Sequence, residues 1–259
     1  MTLISDPAAR AARAAAKRGQ VLAFLAAEVW SSADVLGKVA GIAARQAIHR
    51  LLTTMEADGM IRRAPAPILA GQGINLWGVT PHGRAVTPGA DPTGPVFEPG
   101  RLSVVAIPHH LGLQSIRLRC QAAGWTDWQR GETLGKGVPG MIRPDIIARR
   151  PSGDLVAVEY ERTIKTAKRY QAILSAHLRA IQTGTSYRGV YYVAPGPVAP
   201  GLERMLAAIQ TLPGGIPFDA ARRRAFRVLA ESDFPPSAAG TPAGGAIRPP
   251  APGGARATA

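Results

Sequence analysis

Asp145, Glu159 and Glu161 are the residues whose types and spacing point to chemistry. Ile142 and Ile146-Ile147-Ala148 form one apolar run, and Leu155-Val156-Ala157-Val158 forms a second. Pro151-Ser152-Gly153-Asp154 between them has turn composition, so the stretch reads as a β-hairpin. With the turn centred near Ser152, antiparallel pairing sets Asp145 opposite Glu159. Alternation along a strand puts Glu161 on the face of Glu159. Like charges facing each other destabilise a sheet. A divalent cation offsets them, and Mg²⁺ or Mn²⁺ takes carboxylate oxygens. Asp145, Glu159 and Glu161 are therefore the candidate ligands, with Glu132 as a further one. Lys165, one turn into the following helix, supplies a positive charge beside them. For any one of these acids taken singly, a solvated hairpin end is the plain alternative.

Positioning such a hairpin requires elements on both sides. Leu102 to Ile107 opens the region, and Leu111 to Ala123 fits a helix with Leu113, Ile116, Leu118 and Cys120 apolar. Gly124 stops it, and Trp125 to Arg130 alternates like a strand. After the hairpin, a helix from Ile164 to Gln182 carries Ile164, Ala167, Leu174, Leu178 and Ile181 on one stripe, with a strand at Gly189 to Val193 and a helix at roughly Gly201 to Gln210. Lys168 and Arg169 lie off the stripe, placing cationic side chains close to the acids and suggesting a polyanionic partner. Tyr170 is a conceivable covalent nucleophile, although a tyrosine within a helix is more simply a packing residue.

The first part of the chain has a different pattern. Residues 1–18 form a basic arm, with an Ala/Arg-rich helix over 8–18. Residues 19–86 read as helix, short helix, longer helix and β-hairpin, the order of a winged helix-turn-helix. Val21, Leu22, Leu25 and Val29 stripe the first helix, and Ser31-Ser32 caps the second. The third, from Ala43 to Asp58, turns Ala47, Leu51, Leu52 and Met55 inward and Arg45, Gln46, His49 and Arg50 outward. A third helix of this kind enters the major groove of double-stranded DNA, with Arg62 and Arg63 at the wing base. Residues 87–101, with four prolines and three glycines between Thr87 and Gly100, read as a linker. The second domain is then 102–231, and 232–259, poor in large apolar residues, is expected to be a disordered tail.

The net charge of +14 favours nucleic acid or an anionic membrane surface as a partner, nucleic acid the more so. No apolar run is long enough to span a bilayer and no signal-peptide pattern opens the chain. The one cysteine, Cys120, excludes an intramolecular disulfide, so a cytoplasmic protein is expected.

Helix, strand, strand-turn-strand, helix, strand resembles the αβββαβ restriction-endonuclease-like core of PD-(D/E)xK nucleases, making the expected fold class α/β, α+β overall. Pro144-Asp145 stands as the PD, and Glu159-Tyr160-Glu161 stands where (D/E)-x-K is expected, with Glu161 in the lysine's place. More narrowly, the chain resembles the replication-relaxation family and the MobC-type plasmid mobilisation proteins. The resembling stretches are Trp77-Gly-Val-Thr-Pro-His-Gly-Arg84, His109-His110-Leu111, Gly124-Trp125 with Trp128 and Glu132, Arg143-Pro-Asp145, Val156 to Thr163 and Lys168-Arg-Tyr170. This resemblance implies DNA binding in plasmid mobilisation or replication control, at a plasmid origin or operator and alongside relaxosome or replication proteins. It also implies a metal-dependent, relaxase-like nicking activity in some members, and brings His109 and His110 in as candidate site residues. The alternative is a non-catalytic winged-helix regulator whose nuclease-like domain is inactive.

Overall fold

The computed structural model describes residues 6–67, 73–131, 143–183 and 187–236 of a mixed α+β protein. Its internal contacts divide the chain into two compact units, residues 1–118 and 119–259.

The first unit opens with α1 (Pro7–Glu28), a single helix where a separate arm and helix were expected. Asp6 accepts from the amide of Ala8 and Pro7 occupies the first turn, so the Ala/Arg stretch is capped at its start and continues into the apolar stripe. Residues 7–16 are exposed, while Val21, Leu22, Phe24 and Leu25 are buried. Then follow β1 (Trp30–Ser32), α2 (Ala33–Val39), α3 (Arg45–Ala57), β2 (Ile61–Pro67), β3 (Gly73–Val79) and α4 (Pro81–Ala85). The strands form an antiparallel sheet in the order β1-β3-β2. Ser32 caps α2 as expected, its hydroxyl accepting from Val35 at 3.3 Å. Helix α3 turns Ile48, Leu52 and Met55 into the core, and Ala47 is exposed. The stripe thus runs one residue later than expected at its start, because the larger Ile48 removes more apolar surface from water than a methyl group does. Gly59, at φ +68°, makes the turn from α3 to β2. Gly83 lets α4 approach Met60 so closely that a Cβ there would stand 1.8 Å from the Met60 carbonyl oxygen.

The expected linker is a folded part of this unit. Phe97 is buried and its amide donates to Val79 O at 2.9 Å. The buried Arg84 guanidinium donates to the carbonyls of Ala26, Asp91 and Pro95, tying the Pro/Gly-rich stretch down by its backbone. The division falls instead within α5 (Ile107–Ala122), between Leu118 and Arg119.

The second unit contains β4 (Thr126–Arg130), β5 (Ile146–Arg149), β6 (Leu155–Tyr160), α6 (Ala167–Gln182), β7 (Val190–Ala194), α7 (Ala199–Ala208), the short pair β8 (Thr211–Leu212) and β9 (Ile216–Pro217), α8 (Ala220–Arg223) and β10 (Phe226–Ala230). Its five-stranded sheet has the order β10-β7-β6-β5-β4. Strands β4, β5 and β6 pair antiparallel, whereas β6-β7 and β7-β10 are parallel. Parallel neighbours need a crossover, and α6 provides the one between β6 and β7. One face of the sheet, with Ile147, Ala157, Val190 and Tyr192, packs against Tyr170, Leu174 and Leu178 of α6 and Leu202 and Leu206 of α7. On the opposite face Tyr191 meets Trp125 and Phe234.

Helix α6 starts at Ala167, later than expected, because Thr166 caps it by accepting from Arg169. Ile164 and Ala167, placed on its apolar stripe by spacing, are exposed; the buried stripe is Tyr170, Leu174, His177 and Leu178. The tail expected from residue 232 is corrected at its start, since Phe234 is buried against Trp125 and Tyr191. Residues 237–259 lie outside the described residues. Among the described residues no helix is long and apolar enough to cross a membrane.

Candidate functional site

The β5-β6 hairpin places the acids. Gly153, at φ +90°, shapes the turn, and Ile146 pairs with Val158. Asp145, one residue before β5, therefore stands opposite Glu159, the arrangement that the turn position implied. Its Oδ2 accepts from the amide of Tyr160 at 2.8 Å, and its carbonyl accepts from Gly131. Beyond β6, the Glu161 amide donates to Val193 O at 2.8 Å, extending the parallel pairing past the last strand residue.

The three acids occupy distinct environments. Glu159 lies under α6, and its Oε1 is buried without an aligned hydrogen bond. Its carboxyl is held well above the ordinary value of 4.5, first by burial and then by the charges of Asp145 and Glu161; Lys165 and the Asp145 amide pull the other way. The buried Glu161 forms an ion pair with Lys165 Nζ. The charge of Lys165 is thus directed at Glu161, four residues before it. Among the described residues no group of three or more His, Cys, Asp and Glu side chains is arranged to hold a metal ion. Asp145 and Glu159 offer a two-carboxylate arrangement of the kind Mg²⁺ uses when water and phosphate oxygens fill its other positions. Glu159 Oε1, buried without an aligned hydrogen bond, and the repulsion between Glu159 and Asp145 are what a cation there would offset. Glu132 lies outside the described residues.

Three residues not singled out by their spacing complete this site. His177 of α6 is fully buried, and its Nδ1 lies 2.6 Å from the hydroxyl of Tyr187. Its Nε2 lies 3.1 Å from Glu159 Oε1, but the two atoms are out of hydrogen-bond alignment. Their closeness is not an ion pair, because burial pushes the imidazole down to about 3 and leaves it neutral. Tyr192, paired with Glu159 across β6 and β7, has a buried hydroxyl, and its ring meets the same imidazole in a T-shaped contact. The available signal was a histidine three residues after Leu174, on the apolar stripe of an otherwise amphipathic helix.

Tyr170 is fully buried, with its hydroxyl accepting from the Lys165 amide at 3.3 Å and its phenol pushed up by burial. This arrangement suits packing rather than attack on a substrate. Cys120 is likewise buried and pushed up to about 12. In the first unit, His110 stacks on Trp30 with ring centroids 4.0 Å apart and faces Glu28, which is paired with Arg117. His109 beside it is half-buried.

The candidate DNA-contacting residues are mostly exposed: Arg45, Gln46, Arg50, Arg62 and Arg63 in the first unit, Lys168 and Arg169 in the first turn of α6. His49 is half-buried. Arg62 and Arg63 lie over the rings of Phe97 and Trp77, and Arg62 also donates to Phe97 O. Helix α3 begins after Ala44, which provides no capping side chain. A surface hollow of about 630 Å³ beside α6, lined by Leu178, Arg179, Ile216 and Arg222 among others, includes none of the acids.

The chain matches no protein-family model, no curated protein and no solved structure.

Proposed function

We propose that this chain is a DNA-binding protein whose second unit is a metal-dependent DNA-processing module, acting in plasmid mobilisation or replication control. The observation that carries the reading is the placement of Asp145 opposite Glu159 at the end of a hairpin within an α5-β4-β5-β6-α6-β7 order. That order supports the resemblance to the PD-(D/E)xK nuclease-like core, in which acids are expected at this place. The order α1-β1-α2-α3-β2-β3, with the sheet β1-β3-β2, supports reading the first unit as a winged helix. Exposed Arg45, Gln46 and Arg50 on α3 then meet bases and phosphates. The uncapped start of α3 adds backbone N–H groups suited to a phosphate.

In this reading Asp145 and Glu159 hold Mg²⁺ or Mn²⁺. When bound, the cation supplies an activated water and stabilises charge developing on the phosphate. Lys165 neutralises Glu161, while Lys168 and Arg169 draw the DNA backbone toward the acids. The plasmid setting rests on the resemblance to the replication-relaxation family. The test is nicking of supercoiled plasmid with Mn²⁺, which Asp145→Asn and Glu159→Gln should abolish while duplex binding persists. Nicking that survives both substitutions sinks the proposal.

A second reading, a non-catalytic regulator on the same scaffold, is favoured by one observation. The position of the motif lysine is occupied by Glu161, and the nearby Lys165 is engaged in an ion pair with it. Retained DNA binding with no heat of Mn²⁺ uptake would select this reading.

A further inference from the structure

Glu159 needs more than its own strand to point a charged group from a buried position. The helix above it bears one polar residue on its buried stripe, His177, between Leu174 and Leu178. The Tyr187 hydroxyl lies 2.6 Å from His177 Nδ1, and Glu159 Oε1 lies 3.1 Å from Nε2 on the other side of the ring. Neither Nε2 nor Oε1 has another hydrogen-bond partner. The imidazole edges are otherwise enclosed by the rings of Tyr192 and Phe226.

We propose that His177 is a positioning residue for Glu159: Tyr187 donates to Nδ1, the ring proton therefore sits on Nε2, and this N–H holds Glu159 Oε1 so that Oε2 is directed toward Asp145. This proposal rests on the reading of Asp145 and Glu159 as cation ligands. A neutral imidazole has one N–H, and the hydrogen bond at one nitrogen decides which end carries it. Tyrosine is the better donor of the pair, so Nδ1 accepts. A small rotation of the Glu159 carboxyl group aligns Oε1 with the Nε2–H, leaving the second oxygen for a ligand. Residues behind a ligand act in this way on metal sites, by fixing the orientation of the first carboxylate.

The experiment uses the full chain in two arms. In the first, ¹⁵N NMR of the histidine rings without added metal reports the tautomer of His177. The Nε2–H form is expected, with its Nε2 signal shifted in Glu159→Gln and its tautomer mixed in Tyr187→Phe. An Nδ1–H form in the unaltered chain overturns the proposal. In the second arm, calorimetry with MnCl₂ compares His177→Phe and His177→Gln, with thermal melting recorded for each. His177→Phe should weaken Mn²⁺ binding by about 10–100-fold, and His177→Gln, whose amide N–H replaces Nε2–H, should restore most of it. A folded His177→Phe chain with unchanged affinity overturns the proposal, as does a glutamine variant no better than phenylalanine. If the unaltered chain takes up no Mn²⁺, the metal reading fails, while the tautomer arm still decides whether His177 holds Glu159.

Discussion

Replacing Glu159 by glutamine should make the protein more stable at pH 8 while removing its capacity to hold a cation. Burial and the neighbouring charges of Asp145 and Glu161 hold the Glu159 carboxyl well above its ordinary 4.5. The folded protein therefore keeps a proton there that the unfolded chain releases. Stability from this group is fully present below the unfolded value and is lost as pH rises through the folded one. At pH 8 the native site holds a buried carboxylate close to the charges of Asp145 and Glu161. A defect of that kind costs about 1–3 kcal/mol. In Glu159→Gln the amide oxygen still faces His177, and the side chain no longer carries a charge. The gain should be about 1–3 kcal/mol at pH 8, or roughly 2–12 °C in melting temperature, and should be smaller at pH 5, because the raised carboxyl regains its proton as pH falls. His177 works in the opposite sense: held down to about 3, it lets stability rise with pH from there to its ordinary 6.5, and this contribution is common to both proteins. Thermal melts with EDTA at the two pH values isolate the Glu159 contribution. An equal gain at both pH values, or a loss at pH 8, refutes the reasoning.

Asp145→Ala should lose about 1–3 kcal/mol in urea unfolding, because the Tyr160 amide loses its acceptor. Asp145→Asn retains that acceptor, so it should stay near wild-type stability while abolishing Mn²⁺ uptake in calorimetry. Arg45→Ala and Arg50→Ala should each weaken duplex binding across all sequences and reduce the salt slope by about 1, measured by fluorescence anisotropy from low to moderate salt. Gly83→Ala should destabilise the first unit by more than about 3 kcal/mol in urea unfolding, since its Cβ would lie 1.8 Å from the Met60 carbonyl oxygen.

Local signals in the sequence were informative where the backbone itself decides the outcome. Gly124 and Gly153 both adopt positive φ at the helix end and the turn they were expected to mark. The hairpin register followed from the turn residues together with strand alternation, and placed Asp145 opposite Glu159. Decisions made by tertiary packing were harder to read. Phe97 was hidden in a Pro/Gly-rich stretch, because composition says nothing about the Arg84 guanidinium that fastens its backbone. Strand β10 went unmarked because its pairing partner, β7, lies far away in the sequence. His177 was passed over for a related reason: helical spacing identifies a buried position, whereas a polar residue there gains meaning only from Tyr187 and Glu159, which belong to other elements.

The parallel pairing of β6 with β7 has a consequence for the order of folding. The β5-β6 hairpin closes through a local turn, so it can form early, with Glu159 still hydrated and ionised. Only when α6 and β7 dock do His177, Tyr187 and Tyr192 enclose that carboxyl. Dehydration of the acid is thus concentrated in a late, long-range step of chain closure. Refolding rates should consequently fall more, or rise less, between pH 5 and pH 8 in the wild type than in Glu159→Gln, His177 contributing equally to both, and stopped-flow fluorescence reads that difference. Glu159 would then act, during self-assembly, as a proton-controlled brake.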